Sequence, residues 1–272
     1  MDRAIDWPSI TAPLDVFKIR VPSGYLRRWV SFEPTATGGA FVCETADGRR
    51  VPVRVDVVQP DVFRLRLSTE GIRERPSDML VRQDWPPAPF ACAVSDEGVV
   101  LGTARVRLEF PRFPWGLRAC DANDMGATPF FRQRTDDRAY GPGFEVAPTG
   151  FDEAPDGRLT ARETVALSPG EALYGLGERF TSLNKRGQEI VSWAVDAGNV
   201  TSYRAYKNVP LLLSTTGYGL FIHSSYPMVY RLGSESSISY SIHVAEGQLD
   251  YFLIYGPSLK HVLKRYAELT GH

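Results

Sequence analysis

Residues 51–68 read VPVRVDVVQPDVFRLRLS, and this stretch decides the fold class. Apolar side chains alternate with Pro, Arg and Asp on both sides of a turn at residues 59–61. A period of two over six to eight residues is typical of a half-buried β-strand and not of a helix. The stretch therefore predicts two strands joined by a tight turn. Arg64 and Arg66 would face solvent or pair with a neighbouring strand.

The same patterns recur along the rest of the chain. Alternating or continuous apolar runs that predict further strands occupy 104–110, 211–213, 220–222, 238–244 and 249–255. The last of these runs is apolar almost throughout, which predicts a strand buried on both faces. Residues 71–98 are rich in proline instead and predict a long loop.

One segment near the end of the chain has helical spacing. Ser258 is a suitable N-cap, apolar residues recur every three or four positions from Leu259 to Leu269, and Gly271 is a helix stop. Many strands against one helix predict an all-β fold, a large antiparallel β-sandwich with a C-terminal helix. We divide the chain into a sandwich domain at 1–256 and a helix at 257–272.

Composition narrows the classes of function. The chain has 272 residues and a net charge of -1, and its arginines form no basic run, so we expect no nucleic-acid partner. We expect no membrane contact, because no run approaches the roughly 18 apolar residues of a spanning helix. Three widely spaced cysteines and the lack of an apolar leader predict a reduced, cytoplasmic protein. Histidine and cysteine spacing predicts no metal, and we expect no cofactor.

Glycine, aromatic and charged residues concentrate at 174–220, which begins YGLGERF. Such glycine density marks turns and backbones that pass close to another group. Glu178 lies in a glycine-flanked turn beside Arg179, which predicts either a structural ion pair or a hydrogen-bonded carboxylate for Glu178. Asp196 lies in a turn-like run, where an Asx turn and a hydrogen bond to a substrate hydroxyl are both open. Trp193 offers an apolar face that would either stack on a sugar or join the core.

The remaining candidate residues carry no catalytic signature. His223 and His243 each follow an apolar strand residue and are interpreted as structural, with no carboxylate in a suitable context for either. Paired carboxyl groups would mark sugar hydrolysis, but they cannot be paired in space from the sequence. We therefore predict no catalytic residue and no metal ligand within the chain.

Five ordered motifs resemble one family. They are VPVRVDVVQPDVFRLRLS at 51–68, YGLGERF at 174–180, W-x-x-D at 193–196, Y-x-x-YKNVP at 203–210 and LDYFLIYGPSLKHVLKRYAELTG at 249–271. Together they resemble the N-terminal β-sandwich domain of glycoside hydrolase family 31. The resemblance implies a galactose mutarotase-like supersandwich whose last helix leads into a catalytic (β/α)8 barrel. In that family both catalytic aspartates lie on the barrel, so a chain without it is expected to be inactive.

The resemblance also implies a role for one loop. In the family a loop of this domain reaches the mouth of the active site, where an Asp contacts sugar, and Asp196 matches that position. Trp193 lies in the same motif. Ala194 and Val195 depart from the Asn-Arg that many members have before this Asp. The substrate-binding residues that we predict are therefore Asp196 and Trp193.

The implied function is that of a non-catalytic domain in a retaining α-glycoside hydrolase, of the α-glucosidase or α-xylosidase type. Its partners would be an α-linked oligosaccharide or glycoside and its own catalytic barrel, and self-association into a homo-oligomer stays open. One alternative is a free-standing carbohydrate-binding or assembly module of the same fold. Another is a mutarotase-like epimerase, which would need a histidine and a carboxylate in one cleft.

Overall fold

The computed structural model describes residues 24–74, 76–124, 126, 128–135, 146–154, 157–195 and 205–271. Within these ranges the chain forms eighteen strands and one helix, α1 (Leu259–Thr270). The strands are β1 (Gly24–Thr35), β2 (Gly38–Thr45), β3 (Arg50–Gln59), β4 (Val62–Ser68), β5 (Ala91–Val94), β6 (Gly98–Gly102), β7 (Val106–Pro111), β8 (Arg118–Asp121), β9 (Phe131–Arg132), β10 (Gly150–Glu153), β11 (Leu159–Ala166), β12 (Leu173–Gly175), β13 (Glu189–Ser192), β14 (Leu211–Ser214), β15 (Tyr218–Ile222), β16 (Met228–Arg231), β17 (Ser239–Val244) and β18 (Gln248–Tyr255). The prediction of an all-β sandwich with a C-terminal helix is confirmed.

Thirteen of these strands form one antiparallel sheet that is divided by the long strand β1. The strand order is β12-β14-β15-β18-β4-β3-β2-β1-β10-β11-β17-β16-β13. Strand β1 pairs with β2 along most of its length and with β10 at its beginning, and its pairing with β2 has two register shifts. Such irregularities bend a strand and increase its twist, which lets one sheet supply two layers. Strands β5 to β9 form a second, five-stranded sheet in sequence order.

A single main core joins these sheets. Val53 of β3, Leu108 of β7, Val165 of β11 and Ile242 of β17 belong to one apolar cluster and are almost completely buried. The five-stranded sheet therefore closes the same core as the two halves of the larger sheet.

A second apolar cluster lies on the outer face of the sheet and is covered by α1. Phe221 and Phe252 pack there with Val262 and Leu269 of the helix. Ser258 caps the helix by accepting a hydrogen bond from the N–H of His261, and Gly271 follows its last residue, as predicted. The helix is thus a packed layer of the sandwich. Whether it leads into a barrel stays a prediction.

The arginines of β4 form ion pairs within the protein because both faces of this strand are buried. All seven residues of this strand are buried. The guanidinium of Arg64 lies 2.6 Å from a carboxylate oxygen of Asp250 on the adjacent strand β18. Arg66 pairs with Asp56 of β3 and with Glu74. The cross-strand alternative is confirmed, and the solvent-facing one is wrong because residues outside the sheet cover this face.

The predicted loop at 71–98 contains a strand. Strand β5 pairs with β6 along the edge of the five-stranded sheet, and all four of its residues are exposed. With neither face buried, no alternation of apolar and polar residues marked this strand in the sequence.

Of the three cysteines, none is in a disulfide, and Cys92 is exposed while the other two are buried. In the described ranges no helix is long and apolar enough to cross a membrane, and no cluster of metal-ligating side chains occurs.

Candidate functional site

The YGLGERF motif forms a turn that requires its glycines. Gly175, Leu176 and Gly177 have φ values of 99°, 68° and 86°. A Cβ atom on Gly175 would lie 2.3 Å from the carbonyl oxygen of Leu211, and one on Gly177 would lie 2.1 Å from that of Lys207. Only glycine permits such approaches. Leu176 adopts the left-handed conformation at a cost of about 1 kcal/mol, and it is held there by burial and by a hydrogen bond to Leu211.

Arg179 ties this turn to two other segments. Its Nε donates to the carbonyl of Leu176 at 2.9 Å, and its Nη1 donates to the carbonyl of Val191 at 3.2 Å. Its Nη2 donates to Oδ1 of Asn208, whose Nδ2 donates in turn to the carbonyl of Ala205 at 3.0 Å. We call Arg179 and Asn208 the clamp, because together they connect the turn, the end of β13 and residues 205–208.

The clamp lies at the base of the loop that contains the predicted sugar-binding aspartate. Ala194 and Ala205 form a parallel bridge, and the N–H of Val195 donates to the carbonyl of Ala205 at 3.2 Å. The two ends of the loop are therefore held side by side. Trp193 is half-buried just before this bridge, and Asp196 lies outside the described residues. Their roles as sugar-binding residues stay predictions.

Two exposed aromatic side chains flank a hollow beside this base. Phe180 is 70% exposed and Tyr206 is 59% exposed. They line a hollow of about 60 Å³ together with Glu178, Ala205 and Lys207. We call Phe180 and Tyr206 the aromatic pair. Exposed apolar side chains grouped in this way mark a surface that meets a ligand or another domain.

The charges around the hollow neutralise each other. Glu178 pairs with Lys207 at 3.1 Å, so of the two structural roles predicted for this carboxylate the ion pair is formed, with a residue outside the turn. The side chains of Glu178 and Arg179 point in different directions because the two residues lie in a turn. The guanidinium of Arg179 donates hydrogen bonds to backbone carbonyls instead. The hydrogen bond and charge of Glu178 raise the pKa of Lys207. Hydrolysis of a glycosidic bond needs two carboxyl groups, and the described residues that line the hollow supply only this one.

Neither the clamp nor the partners of His223 can be recognised from the local sequence. The partners of Arg179 lie up to 29 residues away in the chain, so only its position in a glycine-flanked turn could have drawn attention to it. His243 is buried beside Asp152, in keeping with a structural role. His223 is different, because it meets both Asp250 and Ser77 at the edge of a cleft. Neither histidine has a suitable carboxylate in its local sequence, and the one that meets His223 comes from β18.

Comparison with known proteins decides what this architecture is. A model of the glycosyl hydrolase 31 N-terminal galactose mutarotase-like domain matches residues 52–230, more than half of the chain. The chain belongs to this domain family. The glycines of the turn, the clamp and the aromatic pair all lie within the matched range.

The curated relatives of this family 31 domain are much longer than the chain itself. It is 42% identical over 110 residues to the α-xylosidase XylQ of Lactiplantibacillus pentosus, covering 40% of this chain and 14% of that protein. It is 43% identical over 105 residues to an α-xylosidase of Emericella nidulans, covering 39% of this chain and 13% of the relative. An α-glucosidase of Saccharolobus solfataricus is 32% identical over 108 residues, covering 37% of this chain and 15% of that protein.

Solved structures share the fold over most of the chain. The cycloalternan-forming enzyme of Listeria monocytogenes superposes with a TM-score of 0.76 at 18% identity, covering 91% of this chain and 22% of that one. A family 31 dextranase of Flavobacterium johnsoniae gives 0.72 at 22% identity, covering 91% and 28%. At these identities the likeness establishes the fold alone.

Proposed function

We propose that this domain is the N-terminal, non-catalytic part of a retaining α-glycoside hydrolase of the α-glucosidase or α-xylosidase type. The observation that carries the proposal is the family match over residues 52–230, in a chain that spans only 13–14% of two relatives named α-xylosidase. In this proposal the O-glycosyl bond of an α-linked oligosaccharide or glycoside is hydrolysed on a (β/α)8 barrel elsewhere in the enzyme. Hydrolysis of aryl α-xyloside and α-glucoside, by the 272-residue chain and by a longer protein that contains it, tests the proposal.

The loop between Val195 and Ala205 would be the domain's contribution to the active site. The residues on either side of this segment are fixed by the bridge and by the clamp, so the backbone that immediately precedes Asp196 is held in place. A substrate-positioning group must be held rigidly, because a displacement of about 1 Å can reduce a rate by about 100-fold. Asp196 would accept hydrogen bonds from substrate hydroxyls, and Trp193 would supply an apolar face near the same sugar.

The aromatic pair would be the surface on which the barrel packs. Phe180 and Tyr206 lie next to the base of the loop, so a domain that meets them also meets the loop. Aromatic side chains are enriched in such interfaces, because they bury a large apolar area while losing little conformational freedom.

Tyr206→Asp is expected to weaken the docking of this domain on its barrel. The change removes apolar contact area and places a charge in the interface, at a cost of about 2 kcal/mol. When the 272-residue chain is titrated into a separately produced barrel domain, the dissociation constant should rise by about 30-fold. Isothermal titration calorimetry measures this change directly.

Ile238→Asp is the matched control for that substitution. Ile238 is also apolar and 60% exposed, but it does not line the hollow between Phe180 and Tyr206. We expect it to leave the dissociation constant within about twofold of the wild-type value, as is usual for surface substitutions away from an interface. If both substitutions weaken binding equally, the aromatic pair does not lie in the interface.

Asp196→Ala in the longer enzyme is expected to lower kcat/KM by about 10- to 100-fold. A hydrogen bond to a charged group contributes about 1.5–3 kcal/mol, and in a sugar-binding residue this energy stabilises the bound substrate and its transition state. The melting temperature should stay within about 1 °C, because the residue acts on the substrate and not on the fold. If Asp196 instead forms an Asx turn, the melting temperature falls and kcat/KM is unchanged.

A further inference from the structure

A polar cleft lies outside the site described above, at the edge of the outer face of the large sheet. It has a volume of about 260 Å³. One wall is formed by residues 76–79, and the other by residues that follow β15 and begin β18. His223, Ser77 and Asp250 all line this cleft.

These three side chains form a continuous hydrogen-bonded chain. Nδ1 of His223 lies 3.0 Å from Oδ2 of Asp250, and Nε2 of the same ring lies 2.6 Å from Oγ of Ser77. The residues are far apart in sequence and are brought together only by the pairing of β15 with β18 and by the segment that crosses over them. The carboxylate and the imidazole are buried, whereas Ser77 is partly exposed.

The ionisation of Asp250 fixes the direction of the hydrogen bonds. Burial by itself would raise the pKa of this carboxyl, but hydrogen bonds from Arg64 and His223 bring its pKa below the ordinary value. Arg64 donates to both oxygens, at 2.9 and 2.6 Å. An ionised carboxylate only accepts, so Nδ1 of His223 carries the proton and donates it to Asp250. In the neutral imidazole Nε2 then accepts a hydrogen bond from the hydroxyl of Ser77.

A hydroxyl that donates to an imidazole oriented by a buried carboxylate is the arrangement of an activated serine nucleophile. The arrangement is recognised by its geometry and not by sequence position or fold. Here the hydroxyl opens onto a cleft, which gives a reacting carbonyl group access to it. The carboxylate of Asp78 also faces the cleft and makes no hydrogen bond to any described residue, so it disfavours anionic compounds and can accept from an alcohol.

We propose that Ser77 is an activated nucleophile that is acylated by short-chain esters of neutral alcohols, with His223 as its base and Asp250 as the group that orients His223. The Oγ–carbon bond forms and the ester carbon–oxygen bond breaks. The Oγ proton moves to Nε2 of His223 and then to the departing alcohol. Water, activated by the same nitrogen, cleaves the acyl-serine and restores the hydroxyl.

The experiment uses p-nitrophenyl acetate as the acyl donor and a fluorophosphonate as the trap, both on the 272-residue chain. We expect one label per chain, and peptide mass mapping should locate it on Ser77. His223→Gln should reduce the rate of p-nitrophenol release by about 100-fold, the usual size of a general-base contribution, and Ser77→Ala, which removes the nucleophile, by at least as much. Ser225→Ala is the matched control, since this exposed serine lies at the same cleft without touching His223, and we expect a change below about twofold.

The label on the wild-type chain decides the result even if a variant fails to fold. A label on any other residue, or no label at all, overturns the proposal. Equal rates for the wild type and Ser77→Ala, with melting temperatures that agree within about 1 °C, would also overturn it. In that case the hydrogen bond from Ser77 to His223 only holds residues 76–79 against the sheet.

Discussion

Asp152→Ala is expected to lower the free energy of unfolding by about 3–5 kcal/mol, because it removes one partner of a buried salt bridge. The side chains of Asp152 and Arg162 are 1% and 2% exposed, and they form a salt bridge between the adjacent strands β10 and β11. Burial, together with the charges of Arg231 and Arg162, lowers the pKa of the neighbouring His243 well below its ordinary value. His243 is therefore neutral, and the carboxylate of Asp152 is balanced by Arg162.

Urea denaturation followed by circular dichroism measures this loss, and two further variants make the result specific. Glu44→Ala breaks the pairs of this carboxylate with Arg28 and Arg50, whose side chains are 51% and 56% exposed, and should cost no more than about 1 kcal/mol. The double variant Asp152→Leu with Arg162→Met removes both charges and should recover most of the lost stability. If Asp152→Ala costs no more than Glu44→Ala, the pair is not buried as the structure shows.

Glu163→Gln is expected to change how stability depends on pH. Burial raises the pKa of Glu163 to about 7 in the folded protein, against the effect of hydrogen bonds from Thr149, Gln133 and Tyr251. The unfolded chain ionises this group near its ordinary value of 4.5. The protonated carboxyl therefore supports the fold fully below about pH 4.5, and this support is lost as the pH rises towards 7.

The loss amounts to about 3 kcal/mol, from the shift between the two pKa values. The free energy of unfolding, measured from pH 4.5 to 8 by urea denaturation, should fall by that much more in the wild type than in Glu163→Gln. The uncharged amide cannot ionise in either state, so its curve lacks this component. Parallel curves for the two proteins would show that Glu163 is ionised at the same pH in the folded and unfolded chains.

Periodicity predicted the helix and several of the strands that are buried on at least one face, but it missed others, such as β1 and β11. The alternation at 51–68 predicted β3 and β4, and the apolar run at 249–255 predicted β18 as buried on both faces. Ser258 and Gly271 predicted the ends of α1 because capping depends on local geometry. The exposed strand β5 was missed because pairing alone, without burial, leaves no pattern in the sequence.

The site was harder to predict because its contacts are long-range. The side chain of Arg179 reaches Asn208 and the carbonyl of Val191, two partners that the local sequence around Arg179 does not indicate. His223 was interpreted as structural because Asp250 and Ser77 lie 27 and 146 residues away from it in the chain. Local sequence shows that a polar residue follows a strand, but only the folded topology shows which other residues meet it.

The central claim is that this family 31 domain depends on a catalytic barrel that it does not contain. The most direct test is the hydrolysis of p-nitrophenyl α-xyloside and α-glucoside by the 272-residue chain alone and by a longer protein that includes the barrel. We predict no release of p-nitrophenol above buffer by the chain alone, and turnover by the longer protein that falls when Asp196 is replaced by alanine. Robust turnover of either glycoside by the 272-residue chain would contradict the claim.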